Sequence, residues 1–239
     1  MDRTSQLSGA IEGLYAAFAK YPVPAYTDPC LNCHSLADDE KLRSINLREA
    51  GIDDLRDYAV DAVNDWGDAA VFKHFLPRIY ELFIMSPDPG LAFIDPEIMF
   101  SKFRYAEWHT WPQEEQIATR DFFVSIWREI LNGPSTTRAL TNVDGWLCSI
   151  AQCEDDISAY LETWEQDDSL ASCLALSSIL ITDDWNSNPF WNDRDKQHAQ
   201  LKRWLHSKPI EVKLRAAQAR WMAEDFAAEF AAATAAIED

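Results

Sequence analysis

Between Ala139 and Asp193 the sequence has no Lys, Arg or His, yet the same stretch carries eleven carboxylates. The whole 239-residue chain has a formal net charge of −19, so the imbalance is concentrated there. A field of that sign repels nucleic acid and anionic membrane surfaces, which excludes both as direct ligands. It attracts basic surfaces instead.

Other absences are equally informative. With only seven Gly, little material exists for a phosphate-cradling loop, and no P-loop, GxGxxG or GxSxG sequence occurs. His34, His74, His109, His198 and His206 form no HxxxH or HExxH pair. No apolar run approaches the roughly 18 residues that span a bilayer. The opening MDRTSQLSGAIEGLYAAF has neither the basic nor the apolar region of a signal peptide, so the expected compartment is the cytoplasm. Five Cys, an odd number without secretory context, point to reduced thiols rather than a disulfide framework. No segment of four to eight residues alternates as a strand would.

What remains is helical material around a substantial core. Hydrophobic residues make up 47% of the chain, with ten Trp, twelve Phe and seven Tyr. The acidic stretch itself holds Trp146, Tyr160, Trp164, Trp185 and Trp191, so its charge sits on folded structure and not on a disordered tail. Leu7, Ile11, Leu14, Tyr15 and Phe18 recur at three and four and predict a helix that ends at Tyr21-Pro22-Val23-Pro24. Residues 21 to 38 read as an extended loop. From Asp53 to Asp68 one face is apolar (Leu55, Tyr58, Ala59, Ala62, Val63, Trp66) and another acidic (Asp54, Asp57, Asp61, Asp65, Asp68).

Further helices are expected from about Ala69 to Met85, from Pro96 with Asp95 as cap, and after Trp111-Pro112. Turns fall at Ser86 to Gly90, Asn132 to Pro134 and Asn186 to Asn192. The acidic stretch supplies about three more helices. A long Ala-rich helix from Ile210 to Ile237 closes the chain. The expected fold is all-α, eight to eleven helices packed as a bundle of antiparallel pairs, HEAT-like in style though without a strict repeat. Residues 1–239 are read as one acidic domain, with subdivision points near 86–95 or 133–136.

Two local patterns bear on chemistry. Cys30-Leu31-Asn32-Cys33-His34 matches the attachment sequence of c-type haem, but that attachment requires export. Cys30 and Cys33 have zinc-ligand spacing and His34 can add a third ligand, although the remaining ligands must come from afar. The plainer reading is two small side chains tucking a proline-rich loop against the body. Asp155-Asp156 and Asp183-Asp184 are acidic pairs of the kind that hold magnesium in isoprenoid cyclases, yet neither continues as DDxxD and no second metal triplet follows.

Tyr21-Pro22-Val23-Pro24 with Cys30 to Cys33, Trp66-Gly67-Asp68 with Lys73 to Arg78, Lys102 to Trp108 with Trp111-Pro112, and Phe190-Trp191 occur in that order. Together they resemble a widespread bacterial family of helical proteins of unknown function. The resemblance implies an all-helical scaffold and a bacterial origin. It brings no activity and no catalytic residues.

The expected function is therefore binding without catalysis. A compact acidic helical protein suits the masking of a basic partner, most concretely as an immunity protein that neutralises a bacterial toxin. Its expected contacts are Asp155, Asp156, Glu162, Asp167, Asp168, Asp183 and Asp184, with Trp164 or Trp185 as aromatic anchors. Core packing is the competing role for both Trp. No cofactor is expected, zinc at Cys30, Cys33 and His34 being the exception considered. The alternatives are a metal-dependent enzyme using the acidic or Cys/His residues, and a helical scaffold whose charge keeps it in solution.

Overall fold

Apolar residues spaced at three and four fold as helices in the computed structural model, which describes residues 3–85, 95–132, 143–221 and 226–238. The all-helical class is as expected, with thirteen α-helices and no strand among the described residues. They are α1 (Arg3–Phe18), α2 (Leu36–Ser44), α3 (Ile52–Asp61), α4 (Ala69–Met85), α5 (Pro96–Tyr105), α6 (Gln113–Leu131), α7 (Val143–Cys153), α8 (Ser158–Gln166), α9 (Leu170–Thr182), α10 (Asp184–Ser187), α11 (Asp195–Leu205), α12 (Lys208–Arg220) and α13 (Ala227–Glu238). The number exceeds eight to eleven partly because α2 and α10 are short, at nine and four residues. Such segments carry too few turns for an apolar period to register.

Contacts divide the chain into two compact units, residues 1–126 with 136–139 and residues 127–135 with 140–239. The boundary falls inside α6, between Ile126 and Trp127. The turn expected at Ser86 to Gly90, the stop at Gly133-Pro134 and both suggested subdivision points fall wholly or largely outside the described residues.

In the first unit α1 packs on α4, burying Leu7, Ile11, Leu14 and Phe18 as their spacing predicts. Aromatic rings fill the rest of this core. Phe72, Tyr80, Phe100, Phe103, Phe122 and Phe123 are all at most 1% exposed, and their ring pairs meet mostly edge to face or tilted, as ring quadrupoles favour. Pro96 opens α5 where its missing N–H costs nothing, but the Asp95 side chain makes no cap bond.

The helix expected over 53–68 is shorter than its pattern. α3 stops at Asp61, Val63 adopts φ 69° and Gly67 φ 78°. The cause is tertiary pairing with the upstream loop. Cys30 N donates to Asp65 O at 2.7 Å and the Trp66 indole donates to Thr27 Oγ1 at 2.6 Å, which swings Trp66 into the core at 3% exposure. Asp68 then caps α4, accepting from Ala70 N and Val71 N at 2.9 and 3.0 Å.

At Gly67 a Cβ would sit 2.9 Å from Val71 Cβ and 3.0 Å from the Thr27 carbonyl oxygen, with a backbone that side chains disfavour. Gly67→Ala is therefore expected to cost about 1–3 kcal/mol, read as a lowered urea midpoint. An unchanged midpoint would show that this loop relaxes freely.

In the second unit α9, α12 and α13 pack against one another. α9 has little polar surface along its length, as a helix covered on several sides should. The single Ala-rich helix expected over 210–237 is two, α12 and α13, laid side by side. Helix propensity allowed a continuous rod, but burying both apolar faces, including Leu214, Ala217, Phe230 and Ala233 at no more than 3% exposure, required the chain to turn back.

Candidate functional site

The carboxylates of the cation-free stretch sort by environment once folded. Asp144 is buried at 8% exposure in α7. Asn188 Nδ2 donates to it at 2.8 Å and the Trp191 indole at 3.2 Å. Burial pushes its carboxyl above the usual range, and those two donors only partly offset this. Asp156 accepts from Ser158 N and from Gln200 Nε2, both at 2.9 Å. Those bonds from Ser158 and Gln200 lower it to about 2.

Asp168 is exposed but ion-paired, with Lys213 Nζ at 3.2 Å. The same ammonium, on a side chain only 5% exposed, donates to the backbone carbonyls of Asp167 at 2.6 Å and Glu165 at 3.2 Å. Asp167 Oδ1 accepts from Ser169 N at 3.0 Å and is half-buried. Glu165 accepts from the Trp204 indole at 3.1 Å.

Asp155, Glu162, Asp183 and Asp184 differ. All four are exposed, and none forms an ion pair among the described residues. Asp183 joins α9 to α10 in a left-handed conformation, φ 54°, which Asp adopts more readily than most residues. Asp155 lies between α7 and α8, and Glu162 on α8.

The two candidate aromatic anchors are core residues. Trp164 is 0% and Trp185 3% exposed. Trp185 packs edge-on against His198 at 5.1 Å, and the Trp191 ring stacks on the same imidazole at 5.3 Å. Trp185 therefore moves from the contact surface to the interior, because a four-residue helix cannot shield its own indole and α10 folds down on α7 and α9.

In the first unit the loop from Thr27 to Ser35 brings Cys30, Cys33 and His34 together with the end of α3. Cys33 N and His34 N both donate to Cys30 O, each at 2.9 Å. His34 Nε2 donates to Asp61 Oδ2 at 2.8 Å, and its ring lies 4.1 Å from that of Trp66. A carboxylate can only accept, so Nε2 carries the proton. Among the described residues no group of three or more His, Cys, Asp or Glu is arranged to hold a metal ion. The loop is anchored instead by a buried carboxylate: Asp39, 1% exposed, accepts from Thr27 N at 2.9 Å, from the Thr27 hydroxyl and from Arg43 Nε at 2.8 Å.

Neither a family model, nor a curated protein, nor a solved structure matches this chain.

Several buried polar groups carry no sequence pattern and were not anticipated. Lys102, 2% exposed on α5, has its ammonium pushed below the usual lysine range by burial, with Asp61 and Asp65 opposing that. Glu115 on α6 holds Lys73 and Lys20, each at 2.8 Å. A cavity of about 360 Å³ is lined by Glu12, Tyr15, Phe18, Tyr21, Arg48 and His74 among others. Arg48 spans its Glu12 in two bonds of 2.7 and 2.8 Å and lies 3.4 Å over the Tyr15 ring. The one available signal was an isolated charge within an otherwise apolar helical period, as at Lys73 between Phe72 and Phe75.

Proposed function

We propose that this protein is a non-enzymatic binding protein whose carboxylates mask a basic protein surface, most concretely that of a bacterial toxin it neutralises. The observation that carries the reading is the division of labour within the acidic stretch. Asp144, Asp156 and Asp168 are occupied by structural donors, whereas Asp155, Glu162, Asp183 and Asp184 stay exposed without a cation. Exposed carboxylates lower stability slightly through mutual repulsion, and apart from the left-handed junction at Asp183 the fold makes little use of these four side chains. Against a basic surface they raise association rates by about 10–10³ fold at low salt.

With both aromatic anchors in the core, affinity in this reading rests on charge and is steeply salt-dependent. The direct test is co-expression with any secreted protein that a neighbouring gene encodes. The expected result is relief of toxicity and a complex that dissociates as salt rises. Reversing Asp155, Glu162, Asp183 and Asp184 to Lys together is expected to slow association by about tenfold or more and to flatten its salt dependence. An unchanged association rate would exclude this surface, and persistent toxicity would exclude neutralisation of that protein.

A further inference from the structure

The turn at Cys30 to Cys33 is fixed at both ends. On one side Cys30 N is bonded to Asp65 O at 2.7 Å. On the other, His34 is held by Asp61 and Trp66, and Ser35 starts α2 with a reciprocal pair of bonds to Asp38. The bond from Cys33 N to Cys30 O closes a four-residue turn. Such a turn brings its outer Cα atoms within about 7 Å, at the limit of the roughly 4.4–6.8 Å that a disulfide spans.

Access is graded across the turn. Cys33 is exposed and Cys30 half-buried, whereas Cys148 and Cys173 are buried. The Cys33 thiol is held above the usual range by the neighbouring Cys30 thiol first, with Asp65 and Asp61 adding to it. Two carboxylates beside the dithiol disfavour its thiolates, so access rather than thiolate content selects Cys33 as the attacking sulfur, and exchange speeds up as pH rises.

We propose that Cys30 and Cys33 are a redox-active dithiol that closes to an intramolecular disulfide by exchange with a small-molecule disulfide. The exposed Cys33 sulfur, having lost its proton to solvent, attacks one sulfur of the small disulfide. That S–S bond breaks and the first small thiolate leaves, taking up a proton. Cys30, deprotonated in turn, attacks the Cys33 sulfur of the mixed disulfide and expels the second small thiol. The two cysteine sulfurs lose two electrons between them, and the small disulfide gains both as two thiols. His34 and Asp61 keep the turn in place and take no part in the exchange.

The test uses the full-length chain and oxidised glutathione, followed by unfolding in an alkylating agent and peptide mass spectrometry. The peptide holding Cys30 and Cys33 is expected to be lighter by two hydrogens and unalkylated, with Cys148 and Cys173 alkylated and dithiothreitol reversing the change. In Cys30→Ser the reaction stops at a glutathione adduct on Cys33. That adduct is expected to form about tenfold faster than the corresponding one on Cys30 in Cys33→Ser. A wild-type peptide that stays fully alkylated, or that stops at the glutathione adduct, would overturn the proposal. So would equal adduct rates in the two variants, because access would then not set the order of attack.

Discussion

Trp164→Ala is expected to lower the stability of the second unit by about 3–5 kcal/mol, among the largest single-residue losses in the chain. The indole is 0% exposed. It meets Trp127 edge to face at 5.5 Å and Trp204 tilted at 5.1 Å, and its Nε1 donates to the Ser172 carbonyl at 3.1 Å. Removing it empties a ring-sized volume between α6, α8 and α11 and strips Ser172 O of a donor. Trp164→Phe keeps most of the apolar volume and loses the bond, so roughly 1–2 kcal/mol is expected there. Urea unfolding followed by far-ultraviolet circular dichroism separates the two. A loss below about 1 kcal/mol for Trp164→Ala would show that neighbouring rings close over the gap.

Glu115→Ala is expected to cost a similar amount, about 3–5 kcal/mol, in the first unit, for an electrostatic reason. The Glu115 side chain is 0% exposed and that of its partner Lys73 10%. Lys73 Nζ lies 2.8 Å from Glu115 Oε2, 3.0 Å from the Tyr21 hydroxyl and 4.4 Å over the Trp111 ring. Tyr21 donates to Glu115 Oε1 at 2.7 Å. Truncating the carboxylate leaves the ammonium buried with only a hydroxyl and ring faces, which explains a loss much larger than a surface pair would give. Glu115→Gln retains the shape and an acceptor, and falls between.

The same group sets a pH dependence. Burial pushes the Glu115 carboxyl up, but the bonds from Lys20, Lys73 and Tyr21 outweigh it and hold the group below its ordinary value of 4.5. A depressed folded value means that the native state holds the proton less tightly than the unfolded chain does. Its stabilisation is thus complete above the ordinary value and is lost as pH falls through the folded one. The urea midpoint is expected to drop between about pH 5 and pH 3, and less steeply in Glu115→Gln. Identical slopes in the two proteins would assign the acid sensitivity to other carboxylates.

How much of this was legible beforehand depended on which interactions were local. The bounds of α4, Ala69–Met85, and the start of α6 after Trp111-Pro112 follow directly from apolar spacing and helix-start residues. The buried face of α8, with Ile157, Tyr160, Leu161 and Trp164, is the one its period predicts. Periodicity failed between Ala62 and Asp68. There the spacing was still helical, but bonds to a loop more than thirty residues upstream took the backbone elsewhere. No local pattern encodes such a partner.

Charge behaved in the same way. In sequence the stretch from Ala139 to Asp193 has no cation, but in space α12 delivers Lys213 to Asp168 and the Asp167 carbonyl, and Arg220 to the Asp168 carbonyl at 3.3 Å. The local field is weaker than composition suggests: seven of the eleven carboxylates are exposed, and Asp156 and Asp168 among these are already engaged by Ser158 and Gln200 and by Lys213. The zinc-like spacing of Cys30, Cys33 and His34 was equally visible in sequence, whereas only the fold placed Asp61 on the histidine and left the two thiols beside each other.

The sequence by itself determined the helical class, most helix positions, the excess of negative charge and the presence of a vicinal Cys pair. Each is a property of composition or of residues within a few turns of one another. Tertiary structure alone decided where α3 ends, that the Ala-rich tail folds back on itself, that Trp185 is interior and which carboxylates remain unpaired. Those outcomes depend on contacts between segments distant in the chain, where the burial of one side chain is set by what packs over it.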